Sequence, residues 1–292
     1  MQIMNPISQQ TPFPNALQKV IEANILHALE EDVGAGDITA QLVPAGQLAT
    51  ATIIAREDAV VCGIPWANEA FRQVSREIAA EWLVQEGDHV SAGATLCSLS
   101  GPARALLTAE RCALNFLQTL SGTATATRQY VNAITGTRAR ILDTRKTLPG
   151  LRIAQKYAVR IGGGLNQRIG LYDGILIKEN HIAAAGSIEA VLHHARALNP
   201  DVSIQIEVET LEQLQTALNA GATLVLLDNF APPMLVEAVR INQGRAILEA
   251  SGGIDIHNVR EIALTGVDRI SIGSLTKHLQ AIDLSMRFQP QE

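Results

Sequence analysis

Arg145 and Lys146 stand together in the stretch Asp143-Thr144-Arg145-Lys146-Thr147-Leu148-Pro149-Gly150-Leu151-Arg152. A planar guanidinium pairs two oxygens of a carboxylate or phosphate, and the neighbouring ammonium adds a mobile point charge. The pair therefore suits a substrate with more than one acidic group. An isolated Arg-Lys pair is more often a solvated loop, so its company decides. Charged or Gly-Ser residues also follow the later apolar runs: Lys178-Glu179-Asn180-His181, Glu207 with Glu209, Asp228-Asn229, Glu249 with Ser251-Gly252-Gly253, and Ser271-Ile272-Gly273-Ser274. These residues divide by sign. Arg145, Lys146, Arg168 and Lys178, with Arg111, make a cationic set for carboxylates and phosphates. Glu207 and Asp228 make an oxygen-only pair suited to Mg²⁺, which completes its shell with water and substrate phosphate. No His-Cys cluster points to zinc. The Ser251 and Ser271 turns are each expected to bring backbone N–H groups to a helix N-terminus, a seat for phosphate. The expected ligands are a polyacid and a phosphorylated, Mg²⁺-bound partner.

Something must carry these residues to one place. Short apolar runs at 139–142, 174–177, 203–208, 223–227, 246–250 and 268–272 alternate with helical patterns such as Leu211 to Gly221 and Pro232 to Asn242. Serial β-α units without a dinucleotide fingerprint predict a parallel α/β barrel, whose site lies where strands end and loops begin. Gly162-Gly163-Gly164 follows a predicted helix, so it is no nucleotide-binding turn after a strand. Upstream, a lead with Pro6, Pro12 and Pro14 precedes a helix that Asn15 could cap, then the turn Gly34 to Thr39. A β-rich region from Ala49 to about Gly101 is interrupted by a helix near Pro65 to Ser75. Its hairpin at Gln85 to Gly93 carries no lysine at the tip, so attached biotin or lipoate is not expected. Thr108 is predicted to cap a long helix from Ala109, with a bend at Ser121-Gly122. Arg111 then falls in a first turn, where a cation opposes the helix dipole unless an anion compensates.

Composition narrows the classes. The 292 residues exceed an average domain, and 47% hydrophobic content with only 3% aromatics implies a core of Ala, Val, Ile and Leu suited to buried parallel strands. A net charge of −6 argues against nucleic-acid binding. Cys62, Cys97 and Cys112 show neither framework nor Cys-x-x-Cys spacing, which predicts a reducing compartment. No basic start leads into an apolar core, and no apolar run approaches a membrane span. A soluble cytoplasmic protein is expected.

The motifs together resemble a known family, quinolinate phosphoribosyltransferase, also called nicotinate-nucleotide pyrophosphorylase (carboxylating). The stretches that carry the resemblance run in order through nearly the whole chain: Glu31 to Thr39, Thr108-Ala109-Glu110-Arg111-Cys112-Ala113-Leu114-Asn115-Phe116, Asp143 to Arg152, Lys156-Tyr157-Ala158-Val159 to Gly164, Ile177 to His181, Glu207-Val208-Glu209, Leu227 to Phe230, and Ser271 to Thr276. The resemblance implies an incomplete, six-stranded α/β barrel (residues 121–274) with an N-terminal open-faced α/β sandwich domain (residues 1–120), which the tail 275–292 rejoins. It implies a homodimer or higher homo-oligomer in which Arg111 reaches the neighbour's barrel. By the same matching, Arg111, Arg145, Arg168 and Lys178 surround the quinolinate carboxylates. Lys146, Lys178, His181, Glu207 and Asp228 hold phosphoribosyl pyrophosphate and its Mg²⁺, and Ser251, Gly252, Gly253, Ser271 and Gly273 take the 5-phosphate. The implied reaction joins the ribosyl group to quinolinate, releasing pyrophosphate and CO₂ and giving nicotinate mononucleotide for NAD biosynthesis. One position departs: the family usually has histidine where this chain has Gln167, which donates a hydrogen bond but cannot be protonated. The rivals are a related phosphoribosyltransferase of another aromatic acid, such as a molybdenum-associated paralogue, and a silent carboxylate-binding barrel.

Overall fold

The computed structural model describes residues 14–198 and 201–289; the lead with Pro6 and Pro12 and the side chain of Asn15 lie outside the described part. In chain order the elements are α1 (Pro14–Val33), β1 (Leu48–Ala55), β2 (Ala59–Val60), α2 (Ile64–Val74), β3 (Ala79–Trp82), β4 (His89–Val90), β5 (Thr95–Pro102) and α3 (Ala103–Ala133). There follow β6 (Arg140–Leu142), α4 (Arg152–Ile161), β7 (Ile175–Ile177), α5 (Glu179–Ala185), α6 (Ile188–Leu198), β8 (Ile204–Val208), α7 (Leu211–Asn219) and β9 (Leu224–Asp228). The chain closes with α8 (Pro232–Asn242), β10 (Ile247–Ser251), α9 (Val259–Leu264), β11 (Arg269–Ser271), α10 (Ser274–Lys277) and β12 (Leu284–Phe288). Two compact units result. The first takes the chain up to Asp58, Gly63–Gln118 and the segment from Ile282; the second takes Ala59–Cys62 and Thr119–Ala281. Among the described residues, no helix is long and apolar enough to cross a membrane.

The first unit is built on an antiparallel sheet in the order β12-β1-β5-β3. Side chains alternate across a strand, so Ala51, Ile53 and Ala55 of β1 are buried together, opposite Leu99 and Cys97 of β5. Helices α1 and α2 pack against each other, and the buried Trp66 donates its indole N–H to Asn24 at 3.2 Å. The Glu86 carboxylate accepts from the N–H groups of Gly63 and Ile64, at 2.8 and 2.6 Å, where the first turn of α2 leaves donors unpaired.

Helix α3 begins at Ala103, not at Ala109. Thr108 therefore lies inside it; its hydroxyl donates back to the Arg104 carbonyl at 2.9 Å and bonds Asp37 Oδ2 at 3.0 Å. Arg111 sits beyond the first turn, where the terminal partial charge has faded, so the dipole argument for this residue lapses. The helix continues through Ser121 and Gly122.

The second unit is built on a six-stranded, all-parallel sheet in the order β6-β11-β10-β9-β8-β7. Ile206, Val208, Val225, Leu227, Leu248, Ala250 and Ile270 belong to one buried core with Leu214, Leu218, Leu235, Ala238, Val259 and Ile262 of the helices. Apolar residues that face the helices, continuous in β9 and alternating with Gln205 and Glu207 in β8, make these strands visible in the sequence. β6 and β7 lie at opposite ends of the strand order and share no ladder, so the ring has a seam. There Leu165 forms a parallel bridge with Leu142, donating to the Ile141 carbonyl at 2.8 Å and accepting from the Asp143 N–H at 3.2 Å. The residues that follow are Asn166, Gln167 and Arg168.

Candidate active site

Period-two alternation turns Gln205 and Glu207 of β8, and Glu249 and Ser251 of β10, to the face opposite the apolar residues that meet the helices. The loops after the strands complete one rim. Asp143, directly after β6, is fully buried and faces inward, not out to the rim as its place past a strand would suggest. Lys156 of α4, also fully buried, reaches its Oδ1 at 2.5 Å. Asn166 donates to Oδ2 at 2.6 Å and the Gln167 N–H to Oδ1 at 2.9 Å, while the Lys156 ammonium also donates to the Gln167 carbonyl at 3.0 Å. Burial pushes the Asp143 carboxyl up and the Lys156 amine down from their ordinary ranges; their mutual attraction and hydrogen bond oppose both shifts. A dry ion pair recovers its desolvation cost only when further hydrogen bonds saturate it, as they do here. The pair pins the backbone of Gln167 on both sides.

Two arginines flank this anchor. The Nε of Arg145 is buried with no protein partner. Arg168 donates from Nη1 to the Gly174 carbonyl at 2.9 Å, and burial, then the positive charge of Arg145, hold its guanidinium below the usual range. Two neighbouring guanidinium groups, one with an idle buried donor, make a seat for an anion. Arg152 straps the same loops, donating to Thr147 Oγ1 at 3.0 Å and to the carbonyls of Ile169 and Arg145 at 3.1 and 3.3 Å. The Lys146 N–H donates to Thr144 Oγ1 at 3.0 Å, and its carbonyl accepts from Thr276 at 2.7 Å. A Cβ at Gly273 would lie 3.0 Å from Lys146 Cδ, so the side chain of Lys146 crosses the turn after β11.

The next three strand ends bring the remaining charges. The Lys178 ammonium pairs with both oxygens of Glu207, at 3.1 and 3.0 Å, with the lysine side chain 45% exposed and the glutamate 11%. In the first turn of α5, His181 Nδ1 accepts the Lys178 N–H at 3.0 Å, which puts the proton of the neutral ring on Nε2. Asp228 ends β9, the strand next to β8, and accepts from Asn229 at 2.8 Å. Asn229 is left-handed at φ 57°, and its N–H donates to the Ser251 carbonyl at 2.9 Å. Gly252 has φ 95°, and a Cβ there would meet Asn229 Oδ1 at 2.1 Å, so only glycine fits. The helix expected directly after Ser251-Gly252-Gly253 is absent: α9 starts at Val259, and a turn around Asp255 intervenes. Gly273, by contrast, is the residue before α10.

Glu207, next to last in β8, and Asp228, last in β9, offer oxygen donors alone on adjacent strands, and no group of three or more His, Cys, Asp or Glu suited to a metal occurs among the described residues. That sparse donor set fits Mg²⁺, which keeps several waters, and does not fit zinc.

Below the rim lies a network that spacing alone did not reveal. Gln167 Nε2 makes a short hydrogen bond to Glu249 Oε1, and Gln205 Nε2 donates to Oε2 at 3.0 Å. Glu249 is therefore an interior residue, 1% exposed, and burial pushes its carboxyl up against the pull of the bonds from Gln205, Ser271 and Gln167. Gln205, Lys156, Asn166 and Arg152 also join the assembly, although they were not among the expected site residues. The period-two step from Glu207 back to Gln205 is the one local signal for any of them. Arg111 belongs to the first unit, where its side chain is 57% exposed and lies 4.0 Å from Glu110.

Comparison with known proteins bears on the whole chain. The family described as quinolinate phosphoribosyl transferase, C-terminal domain, matches residues 123–287, and its N-terminal domain matches residues 37–121. The chain is 42% identical over 261 residues to a Bacillus subtilis protein named probable nicotinate-nucleotide pyrophosphorylase (carboxylating), covering 89% of this chain and 90% of that protein. It is 43% identical over 271 residues to the Mycobacterium leprae nicotinate-nucleotide pyrophosphorylase (carboxylating), covering 90% and 95%. A solved structure of the nicotinate-nucleotide pyrophosphorylase from Francisella tularensis superposes with a TM-score of 0.91 at 46% identity, over 93% of this chain and 97% of that one. This protein is thus a member of the quinolinate phosphoribosyltransferase family.

Proposed function

We propose that this protein transfers the phosphoribosyl group of phosphoribosyl pyrophosphate to quinolinate with decarboxylation, yielding nicotinate mononucleotide, pyrophosphate and CO₂ in de novo NAD biosynthesis. The observation that carries this reading is the rim itself. It brings Arg145, with an idle buried donor, close to Arg168 on the barrel that also carries the Lys178–Glu207 ion pair and Asp228. An acid site and a phosphate site on one barrel face are what joining a dicarboxylate to a phosphorylated sugar requires.

In this reading Arg145 and Arg168 grip the quinolinate carboxylates, with Arg111 supplied by a partner subunit of a homodimer. Gln167 adds an amide contact. The turns Ser251 to Gly253 and Ser271 to Gly273 take the 5-phosphate. Lys146, Lys178 and His181 face the pyrophosphate, and Glu207 and Asp228 would hold Mg²⁺. Bound Mg²⁺ supplies neutralisation of the pyrophosphate charge. The ring nitrogen bonds to the ribose C1 as the C1–O bond to pyrophosphate breaks, and the electron pair leaves with pyrophosphate. The 2-carboxylate is then lost as CO₂, its C–C electron pair staying on the ring and taking a proton. Lys146 and Lys178 stabilise the departing charge electrostatically, and no covalent nucleophile is required. The scattered spacing of Cys62, Cys97 and Cys112, all buried, supports a reducing, cytoplasmic setting.

The test is incubation of purified protein with quinolinate, phosphoribosyl pyrophosphate and Mg²⁺. Stoichiometric nicotinate mononucleotide, pyrophosphate and CO₂ are expected, with loss of turnover on chelation of Mg²⁺. No turnover with quinolinate alongside turnover of another aromatic acid would overturn the substrate assignment.

A further inference from the structure

Gln167 is held by three separate devices. Asp143 fixes its N–H, Lys156 fixes its carbonyl, and Glu249 takes an N–H of its side-chain amide. The first two set the backbone; only the third sets the direction of the amide. Glu249 lies on β10 two residues before Ser251, 82 positions from Gln167 along the chain, so the bond spans the barrel interior and not a local turn. Its other oxygen accepts from Gln205 at 3.0 Å. A buried carboxyl bonded through both oxygens has a fixed orientation, and it passes that orientation to the amide. A terminal amide is nearly symmetric about its long axis, and donor and acceptor exchange places on a half-turn. With Nε2 on Glu249, one of its N–H bonds is used, and the second remains for a ligand beside Arg168. A half-turn would set the carbonyl against Glu249 and change what a bound acid meets.

We infer that Glu249 is a positioning residue for acid recognition: it acts through Gln167, fixing which edge of the amide meets the carboxylates. This rests on the proposed use of quinolinate. Burial raises the proton affinity of Glu249, against the hydrogen bonds that its carboxyl accepts.

Steady-state kinetics of the full-length protein test it with Glu249→Gln, Gln167→Leu and the double variant. Glu249→Gln puts a donor where there was an acceptor. It is expected to raise the KM for quinolinate about ten-fold, the worth of one hydrogen bond, and to leave the KM for phosphoribosyl pyrophosphate within about two-fold. Gln167→Leu, whose backbone anchors are intact, is expected to give the same selective rise. In the Gln167→Leu background, adding Glu249→Gln is expected to change nothing further. Additive effects, or equal rises for both substrates, would overturn the inference. If Glu249→Gln does not fold, Gln167→Leu decides alone: an unchanged quinolinate KM refutes a directed amide. Absence of wild-type turnover with quinolinate would count against the reaction assigned above, a separate result.

Discussion

Replacing Lys156 with methionine isolates the buried anchor beneath the rim. Lys156 and Asp143 are both fully buried at 2.5 Å, so the substitution leaves a carboxylate in the interior with only Asn166 and the Gln167 N–H to hold it. Breaking one partner of such a pair costs about 3–5 kcal/mol, a large part of the roughly 5–15 kcal/mol that stabilises a typical domain. Asp143→Asn should cost a comparable amount, because it strands the ammonium. The double variant removes both charges and should recover at least about 2 kcal/mol relative to the sum of the single losses. Urea unfolding followed by circular dichroism, run as a four-member cycle, measures this coupling. A parallel assay should find kcat/KM for quinolinate reduced in Lys156→Met, because the Gln167 backbone loses a donor directly and a firm acceptor indirectly. A single loss below about 1 kcal/mol with additive effects in the cycle would refute the claim that this pair anchors the loop.

Arg145→Lys should raise the KM for quinolinate about ten-fold or more, since an ammonium cannot reproduce a planar two-pronged contact; an unchanged KM would remove Arg145 from the acid site. Mixing Arg111→Ala with Lys178→Ala subunits should restore about a quarter of wild-type activity, because half of the random dimers would each hold one intact site. No recovery after verified exchange argues against a shared site. Glu249 predicts a pH signature with a definite sign. Unfolded glutamate titrates near pH ~4.3, whereas burial raises the native value. Between the two the native protein holds a proton that the unfolded chain has lost, so stability falls as pH rises through that interval. Thermal melts of Glu249→Gln should lack this contribution, and parallel pH dependences for variant and wild type would contradict it.

β9 was legible because a strand buried on both faces reads as an apolar run, Leu224-Val225-Leu226-Leu227, and β8 because Ile204, Ile206 and Val208 alternate with Gln205 and Glu207. Their ends were legible because charges recur directly after such runs. The start of α3 was not: Thr108 followed by Ala109 and Glu110 has the composition of a cap and drew the boundary there, although Ala103-Arg104-Ala105-Leu106-Leu107 are all good helix formers. The Asp143–Lys156 pair was hidden for another reason. Composition places lone charges at the surface, and only the fold shows that a lysine among Ala154, Ala158 and Val159 has a dry partner. Gln167 and Glu249 share no periodicity at all, since their contact exists only once the barrel forms.

The seam between β6 and β7 has a consequence for how the fold could diversify. Every inter-strand bond of the ring lies elsewhere, while Asn166, Gln167 and Arg168 follow the Leu165 bridge and are set by side-chain anchors. Exchanging the side chains at 167 and 168 therefore breaks no rung of the strand ladder. With these two side chains meeting the acid as proposed, acid preference is separable from strand pairing at this point, and local editing would re-address the site while the scaffold stays as it is.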